Sequence, residues 1–183
     1  MVSSILPLTV VTNSRLRIPG LDPWHANPHD PALSVMTDFR ERSSVTVPDI
    51  ATIDDALEHM RHTGVRCAFA IDASMREVRG LITAYDIAGE KPMQYMLSRA
   101  MRRREVLVRD IMQEISSCPV ADIKEIERAT VAAVANMFSG NRLTHVPVME
   151  THTAGEQRLR GLLSAAKVRR LLTRAPLIAA ARR

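Results

Sequence analysis

The chain has 183 residues, of which 46% are hydrophobic and only 3% aromatic, so its core must be built mainly from aliphatic side chains. No apolar run approaches the ~20 residues of a membrane-spanning helix, and residues 1–20 lack the basic start of a secretory signal. The net charge of +5 is uneven, with basic clusters at residues 99–104 and 167–183. Such clusters either attract phosphate groups or form solvated helix faces.

Chemistry-bearing side chains are sparse. Cys67 and Cys118 have no metal-binding spacing with each other or with histidine, which predicts free thiols in a reducing, cytoplasmic compartment. His25 and His29 flank Pro28, which opposes the helix that a metal site would need. We expect no metal site, and no catalytic triad or phosphate-binding loop can be assembled. The sequence therefore predicts a protein that is not an enzyme.

In chain order, residues 1–34 are predicted to be an N-terminal arm, followed by a first repeat at 35–98. That repeat reads as an extended segment (43–48), a helix capped by Thr52, two strands (65–72 and 78–83) and a helix from about Ala84. Thr52 is suited to an N-cap because its side-chain oxygen can accept a hydrogen bond from the first helical turn. Apolar residues then recur at helical spacing.

The second half repeats this order. Residues 96–112 are predicted to form one long linker helix, and residues 99–175 contain this linker and the second repeat, followed by a basic tail at 176–183. "IATIDDALEHM" aligns with "RATVAAVANMF" 78 positions later, and "GLITAYD" aligns with "GLLSAAK" 81 positions later. A unit of this size buries little surface alone and should pack against its twin.

The order of these phrases resembles a tandem pair of CBS domains, the regulatory module named after cystathionine β-synthase. The resemblance rests on the Ala-Thr-aliphatic helix start, on "HVPV", on the Gly-aliphatic-x-Thr/Ser-x-x-Asp phrase and on "VRDIM" with its weaker counterpart "VMTDF". It covers about residues 35–172. The implied fold is α/β: two strand–helix–strand–strand–helix repeats packed as a pseudo-twofold pair, with the N-terminal arm outside them.

The first phrase suits a nucleoside phosphate. Thr83 falls where a strand turns into a helix, so its hydroxyl and the free amides there can hold an anion. Asp86 lies on the same helical face, and its carboxylate can accept hydrogen bonds from two ribose hydroxyls. Alternatively, Thr83 is an N-cap and Asp86 a first-turn acid. The resemblance implies adenine as the usual base, with three further residues lining its pocket and one less certain member: Val65, Arg66 and Leu81, with Ala51.

The second phrase departs from the family pattern. Ser164 keeps the hydroxyl, but Lys167 stands where an aspartate is expected and cannot accept hydrogen bonds from ribose. Three alternatives stay open: an empty cleft, a more phosphorylated ligand with Lys167 on a phosphate, or a solvated lysine. The residues of this second site are Ser164, Lys167, Leu162, Leu143 and Thr144.

We therefore expect a free-standing regulatory sensor that binds AMP, ADP, ATP or S-adenosylmethionine between its repeats. A conformational change would then signal to a partner protein, which the sequence does not identify. The resemblance also implies a homodimer. Two other classes remain open: a nucleic-acid-associated protein that uses the arginine clusters, which is not favoured, and a dimerisation scaffold with vestigial clefts.

Overall fold

The computed structural model describes residues 23–74, 77–141, 143–152 and 155–173. These ranges contain seven α-helices and eight strands, with short 3-10 turns between some of them. The strands are β1 (Thr37–Asp38), β2 (Thr46–Pro48), β3 (Cys67–Ile71), β4 (Val78–Thr83), β5 (Gln113–Glu114), β6 (Ala121–Asp122), β7 (His145–Thr151) and β8 (Gln157–Ser164). The helices are α1 (Ile53–His62), α2 (Ala84–Ala88), α3 (Lys91–Arg99), α4 (Val108–Ile111), α5 (Ile123–Arg128), α6 (Val131–Gly140) and α7 (Ala165–Thr173).

The two repeated helices begin where the sequence predicts. The Thr52 side chain accepts a hydrogen bond from the Asp55 amide at 3.1 Å, and Thr130 accepts from the Ala133 amide at 3.3 Å. Each bond satisfies an amide that has no partner within its helix. The matching caps confirm that α1 and α6 are equivalent elements of the two repeats.

The repeats exchange their leading strands. One sheet has the order β2-β3-β4-β5 and the other β1-β8-β7-β6. β5, which introduces the second repeat, pairs antiparallel with β4 of the first, whereas β1 pairs antiparallel with β8 of the second. Thr37-Asp38, within "VMTDF", and Gln113-Glu114, directly after "VRDIM", are thus equivalent, and each repeat completes the sheet of the other.

This exchange explains the glycine of each repeated phrase. A Cβ added at Gly80 would lie 2.5 Å from the Gln113 carbonyl oxygen and 2.8 Å from the Met112 sulfur. A Cβ at Gly161 would lie 2.7 Å from both the Thr37 carbonyl oxygen and the Met36 sulfur. Only glycine lets the exchanged strand approach this closely.

Three apolar clusters hold the fold together. One covers each sheet together with its helices, and the third joins the two sheets. In the third, the buried ring of Phe69 meets Phe39 edge to face with centroids 5.7 Å apart. Leu81 on β4 and Leu162 on β8 belong to the same cluster. The predicted sheet-to-sheet packing of the repeats is therefore confirmed.

Residues just before β1 pack on the second repeat. The Ala26 amide donates to the Leu171 carbonyl at 3.0 Å, and the Val131 amide donates to the Asp30 carbonyl at 2.9 Å. Ala32 and Val35 are fully buried in the core around β7 and β8. The described part of the predicted arm is thus anchored to the globule.

The predicted linker helix over residues 96–112 is wrong. α3 ends at Arg99, and the next residue, Ala100, adopts a left-handed conformation with φ 52°. Two carboxylates then cap new helical turns. Glu105 accepts a hydrogen bond from the Arg102 amide at 2.7 Å, and Asp110 accepts one from the Leu107 amide at 2.8 Å. Because each satisfies an amide at a new helix start, the segment becomes a 3-10 turn and α4 instead of one helix. α5, an extra helix before α6, was also missed.

Candidate functional site

Thr83 and Asp86 form a capping box at the start of α2. The Asp86 amide donates to the Thr83 hydroxyl oxygen at 3.1 Å. In return, one carboxylate oxygen of Asp86 accepts from the Thr83 amide at 2.9 Å and from its hydroxyl at 2.6 Å. Thr83 is buried. The two groups predicted to hold phosphate and ribose therefore bind each other.

The second carboxylate oxygen of Asp86 is also engaged. The Lys91 ammonium at the start of α3 lies 2.6 Å from it, and Lys91 also donates to the Ile111 carbonyl at 3.4 Å. Burial raises the pKa of the Cys67 thiol, and the Asp86 charge raises it further; the same charge opposes the lowering of the His145 pKa that burial causes.

A cavity of about 610 Å³ lies between the two repeats. Its walls come from β1, from the residues just before and within β3 and β7, from the end of β8, and from α2 and α7. Four residues of the predicted second site line it: Thr144, Leu162, Ser164 and Lys167. Two residues assigned to the first site also line it: Val65 and Arg66. One space thus brings together residues that the sequence analysis divided between two sites.

The cavity wall is basic. Its charged residues are Arg66, Lys167, Arg169 and Arg170, and no Asp or Glu lines it in the part of the chain that the structure describes. Lys167 donates to the Met36 carbonyl at 3.1 Å, which ties the ammonium to the exchanged segment. Arg66 donates to the Tyr85 hydroxyl at 3.2 Å. The cavity therefore favours an anion.

His145 adds a neutral polar group to this wall. Burial lowers its pKa from 6.5 to about 4, although the Asp86 charge opposes the shift. At neutral pH its ring can both donate and accept a hydrogen bond. The Thr144 hydroxyl lies 3.1 Å from its Nδ1 atom. Together with Ser164, these groups can bind hydroxyls or base edges without adding charge.

The remaining predicted site residues lie elsewhere. Leu81 is buried in the cluster between the sheets, and the carbonyl of Ala51 accepts from the Val108 amide at 2.9 Å. Leu143 borders a separate groove between α6 and α7. Thr83 and Asp86 are not among the residues that line the cavity.

Sequence reasoning missed part of the cavity. Thr37 and Phe39 enter it because β1 is exchanged between the repeats, and Tyr85, Arg169 and Arg170 reach it from α2 and α7. Arg170 follows Lys167 by three positions, so the helical reading of α7 could have placed it near Lys167, whereas Arg169, two positions on, has no such spacing. The exchange of β1 had no comparable local pattern.

Other sequence features are accounted for elsewhere. Arg103 pairs with Asp54 at 2.9 Å and donates to the Ile87 carbonyl at 3.4 Å, so part of the arginine cluster at 99–104 is structural. Arg182, Arg183 and the tail at 176–183 lie outside the described residues. No His, Cys, Asp and Glu group within the described ranges could hold a metal ion. None of the helices among those residues is long and apolar enough to cross a membrane.

Comparisons with known proteins agree with this architecture. Residues 23–91 match the family model of the CBS domain. No curated protein sequence matches the chain. The fold itself matches many solved structures.

Two of these structures illustrate the likeness. A CBS-domain containing protein from Agrobacterium tumefaciens is 18% identical with a TM-score of 0.55, covering 86% of this chain and 98% of its own. The structure of CBSX2 in complex with AMP is 21% identical with a TM-score of 0.52, covering 78% of this chain and 94% of its own. These likenesses define the class by its fold, a pair of CBS domains. Residues 23–91 thus resemble a CBS domain in sequence, and the described residues, as the sequence predicted, have the fold of a tandem CBS pair.

Proposed function

We propose that the chain is a regulatory module that binds an adenine nucleotide or a related adenosyl ligand between its two repeats. The observation that carries this proposal is the cavity of about 610 Å³ whose walls come from both repeats. Its size lies within the range of small-molecule sites, roughly 300–1,000 Å³. The AMP in the CBSX2 structure, which shares the fold, supports an adenine nucleotide as the ligand.

The wall chemistry suits such a ligand. Phe39, Val65 and Leu162 offer apolar surface for a base. Ser164 and Thr144 offer hydroxyls, and the basic residues of α7 and Arg66 offer donors to phosphate. The ligand would therefore contact the first repeat, the second repeat and the exchanged strand β1 simultaneously.

This position provides the regulatory mechanism. A ligand that touches both repeats binds more tightly to the packing that closes on it, and so shifts the population toward that packing. The shift cannot exceed the difference in the ligand's affinity for the two packings. We propose that a partner protein reads this difference, and that the module works as a homodimer, which sedimentation equilibrium would test.

Thr83 and Asp86 have a different place in this proposal. A nucleotide could use the Asp86 carboxylate only by sharing or displacing the Lys91 ammonium, which lies 2.6 Å away. We propose that these residues form a secondary site that requires Lys91 to move. The cavity between the repeats is the primary site.

A blocked cavity tests the function. Ala166 lines the cavity on the exposed side of α7, so Ala166→Trp would fill the space without replacing a core residue. Ligand at about 100 times its dissociation constant should stabilise the original chain by about 2.7 kcal/mol. We expect thermal melting with AMP and ATP to show this stabilisation in the original chain and its loss in Ala166→Trp.

The matched control is Ala133→Trp. Ala133 is exposed on α6 and is not among the residues that line the cavity. This variant should keep the nucleotide-dependent shift in melting temperature. If neither nucleotide stabilises the original chain, or if Ala166→Trp responds like the original, a nucleotide site in the cavity is excluded.

A further inference from the structure

We infer that the exposed face of α3 is a docking surface for an acidic amphipathic helix of a partner protein. This inference rests on the proposed function, because it specifies the chemistry of the partner that reads the module. It is carried by two apolar side chains that project from α3 and by an arginine cluster at the C-terminal end of the helix. It does not involve the cavity between the repeats.

Helix α3 has apolar residues on two faces. Pro92 is buried, and Tyr95 and Met96 pack against the core around β3 and β4. Met93 and Leu97 stand four positions apart and share another face of the helix. They are 62% and 79% exposed, the highest values among the large hydrophobic residues that the structure describes. One exposed leucine is ordinary on a protein surface, but two large apolar side chains side by side form a stripe that invites a partner.

The charge beside this stripe is positive. Residues 99–105 contain four arginines and one glutamate. Arg103 pairs with Asp54 at 2.9 Å, and its turn, Arg103–Glu105, contacts α3. The other arginines are exposed and make no ion pair with a described carboxylate: Arg99, Arg102 and Arg104. The surface therefore combines an apolar stripe with cations that follow Leu97 directly along the chain.

Charge complementarity selects the occupant. An opposing helix with leucines at i and i+4 can bury Met93 and Leu97, while glutamates on its flanks pair with the arginines. A second α3 offers little compensation, because Glu90 is the only carboxylate between residues 90 and 104. The net charge of +5 also opposes contact between two copies. The fitting partner is therefore an acidic helix with an apolar stripe of its own.

The position of α3 lets a docked helix respond to the packing of the repeats. α3 contacts both α2 of the first repeat and α4, which leads into the exchanged strand β5. Lys91, its first residue, lies 2.6 Å from the Asp86 carboxylate and donates to the Ile111 carbonyl at 3.4 Å. Because α3 is bound on both sides, a change in packing changes its position. A partner docked on α3 therefore favours one packing over the other.

Fluorescence anisotropy with a synthetic peptide tests the docking on the full chain. The probe is a labelled helical peptide of about 18 residues, with leucines along one face and glutamates on the others. We expect Leu97→Ser to weaken its binding by at least about tenfold, because the buried apolar contact is lost. Val120→Ser makes a similar change at a residue that is 46% exposed outside α3. This matched control should keep the affinity within about twofold.

Charge reversal tests the arginines. Arg104→Glu should weaken binding of the same peptide by about tenfold at low salt, and the loss should shrink at high salt because exposed charges are screened. Lys124→Glu makes the equivalent change on the exposed surface of α5 and should have little effect. A scrambled peptide of the same composition should not bind, because its leucines no longer share one face.

Several results would overturn the docking surface. Equal binding of the scrambled peptide, or unchanged binding by Leu97→Ser, would show attraction by charge alone. If Leu97→Ser abolishes self-association in sedimentation equilibrium, the face holds a second copy instead. If it abolishes cosedimentation with vesicles of phosphatidylcholine and phosphatidylglycerol, the face binds a bilayer.

The melting shift with AMP or ATP separates this inference from the proposed function. It should persist in Leu97→Ser, because α3 contributes none of the described residues that line the cavity. If the peptide fails to bind the original chain while nucleotides still stabilise it, only the docking surface is refuted. Peptide binding without any nucleotide stabilisation refutes only the nucleotide site.

Discussion

The two repeats share one framework and differ in the charge at the end of their repeated phrase. In the first repeat, both carboxylate oxygens of Asp86 are bound within the repeat, one by Thr83 and the other by Lys91. In the second, Ser164 and Lys167 line an open cavity. The change from Asp86 to Lys167 at equivalent positions thus has a large effect. The aspartate forms a helix cap with Thr83, whereas the lysine lines a cavity that favours anions.

Equivalent positions of the two repeats share a backbone conformation but carry different side chains. Phe69 on β3 corresponds to Pro147 on β7, and Cys67 corresponds to His145, at the same offset of 78 residues. The first repeat thus contributes the large ring of the cluster between the sheets. The second contributes a half-buried imidazole at the position where the first has a buried thiol. Variants at these paired positions test whether the two repeats contribute unequally to the free energy of unfolding.

The largest expected difference is between Phe69→Ala and Pro147→Ala. Phe69 is 1% exposed and meets Phe39 edge to face in the cluster between the two sheets. Removing its ring should lower the free energy of unfolding by about 3–5 kcal/mol. Pro147→Ala removes few atoms and should cost about 1 kcal/mol. Urea denaturation measures both, and equal costs would show that the cluster between the sheets does not depend on this ring.

His145 should make stability depend on pH. Because its folded pKa of about 4 lies below the ordinary 6.5, the unfolded chain binds more protons between these values. The contribution of the neutral ring to the free energy of unfolding is therefore fully present above pH 6.5. It is lost as the pH falls toward 4, by about 3 kcal/mol in total. His145→Gln should flatten this part of the profile. Parallel pH profiles for the two proteins would contradict the burial of a neutral ring.

The sequence predicted the fold more fully than the site. Thr52, Thr130 and the alternating apolar residues gave the helices and strands, because caps and periodicity act within a few positions. The linker helix failed at Ala100, whose left-handed conformation has no sequence pattern of its own. The cavity depends on β1 crossing to the other repeat, and such a long-range exchange leaves little local trace. Hence Lys167 was assigned to a site and Arg169 only to the basic cluster at 167–183, whereas Phe39 was assigned to no site.

The glycines should behave alike in both repeats. Gly80→Ala and Gly161→Ala each place a methyl group within 3 Å of a backbone carbonyl of the exchanged strand. We expect each to cost about 2 kcal/mol of stability, within the range for overpacking. Gly140 has no heavy atom within 4 Å of an added Cβ, so Gly140→Ala is the control and should be neutral or stabilising. If the loss of unfolding free energy differs more than twofold between Gly80→Ala and Gly161→Ala, the two exchanged strands are not packed equivalently.

The smallest effect concerns Lys91. Its ion pair with Asp86 is partly exposed, so Lys91→Met should destabilise the chain by less than about 1 kcal/mol. If Lys91 competes with a nucleotide for Asp86, the variant should gain a second, weak AMP-binding event in titration calorimetry. Asp86→Asn keeps an acceptor for the Thr83 amide and serves as the matched control without the carboxylate. No second event in Lys91→Met would mean that the first phrase serves only as a helix cap.

The central claim is that a nucleotide occupies the space between the repeats, with its phosphates on the basic wall. A crystal structure of the full chain grown with ATP tests this most directly. The account predicts one ATP per chain, in contact with Arg66 from the first repeat and Lys167 from the second. An ordered chain whose cavity holds only water, or whose ATP lies solely beside Thr83 and Asp86, would contradict it.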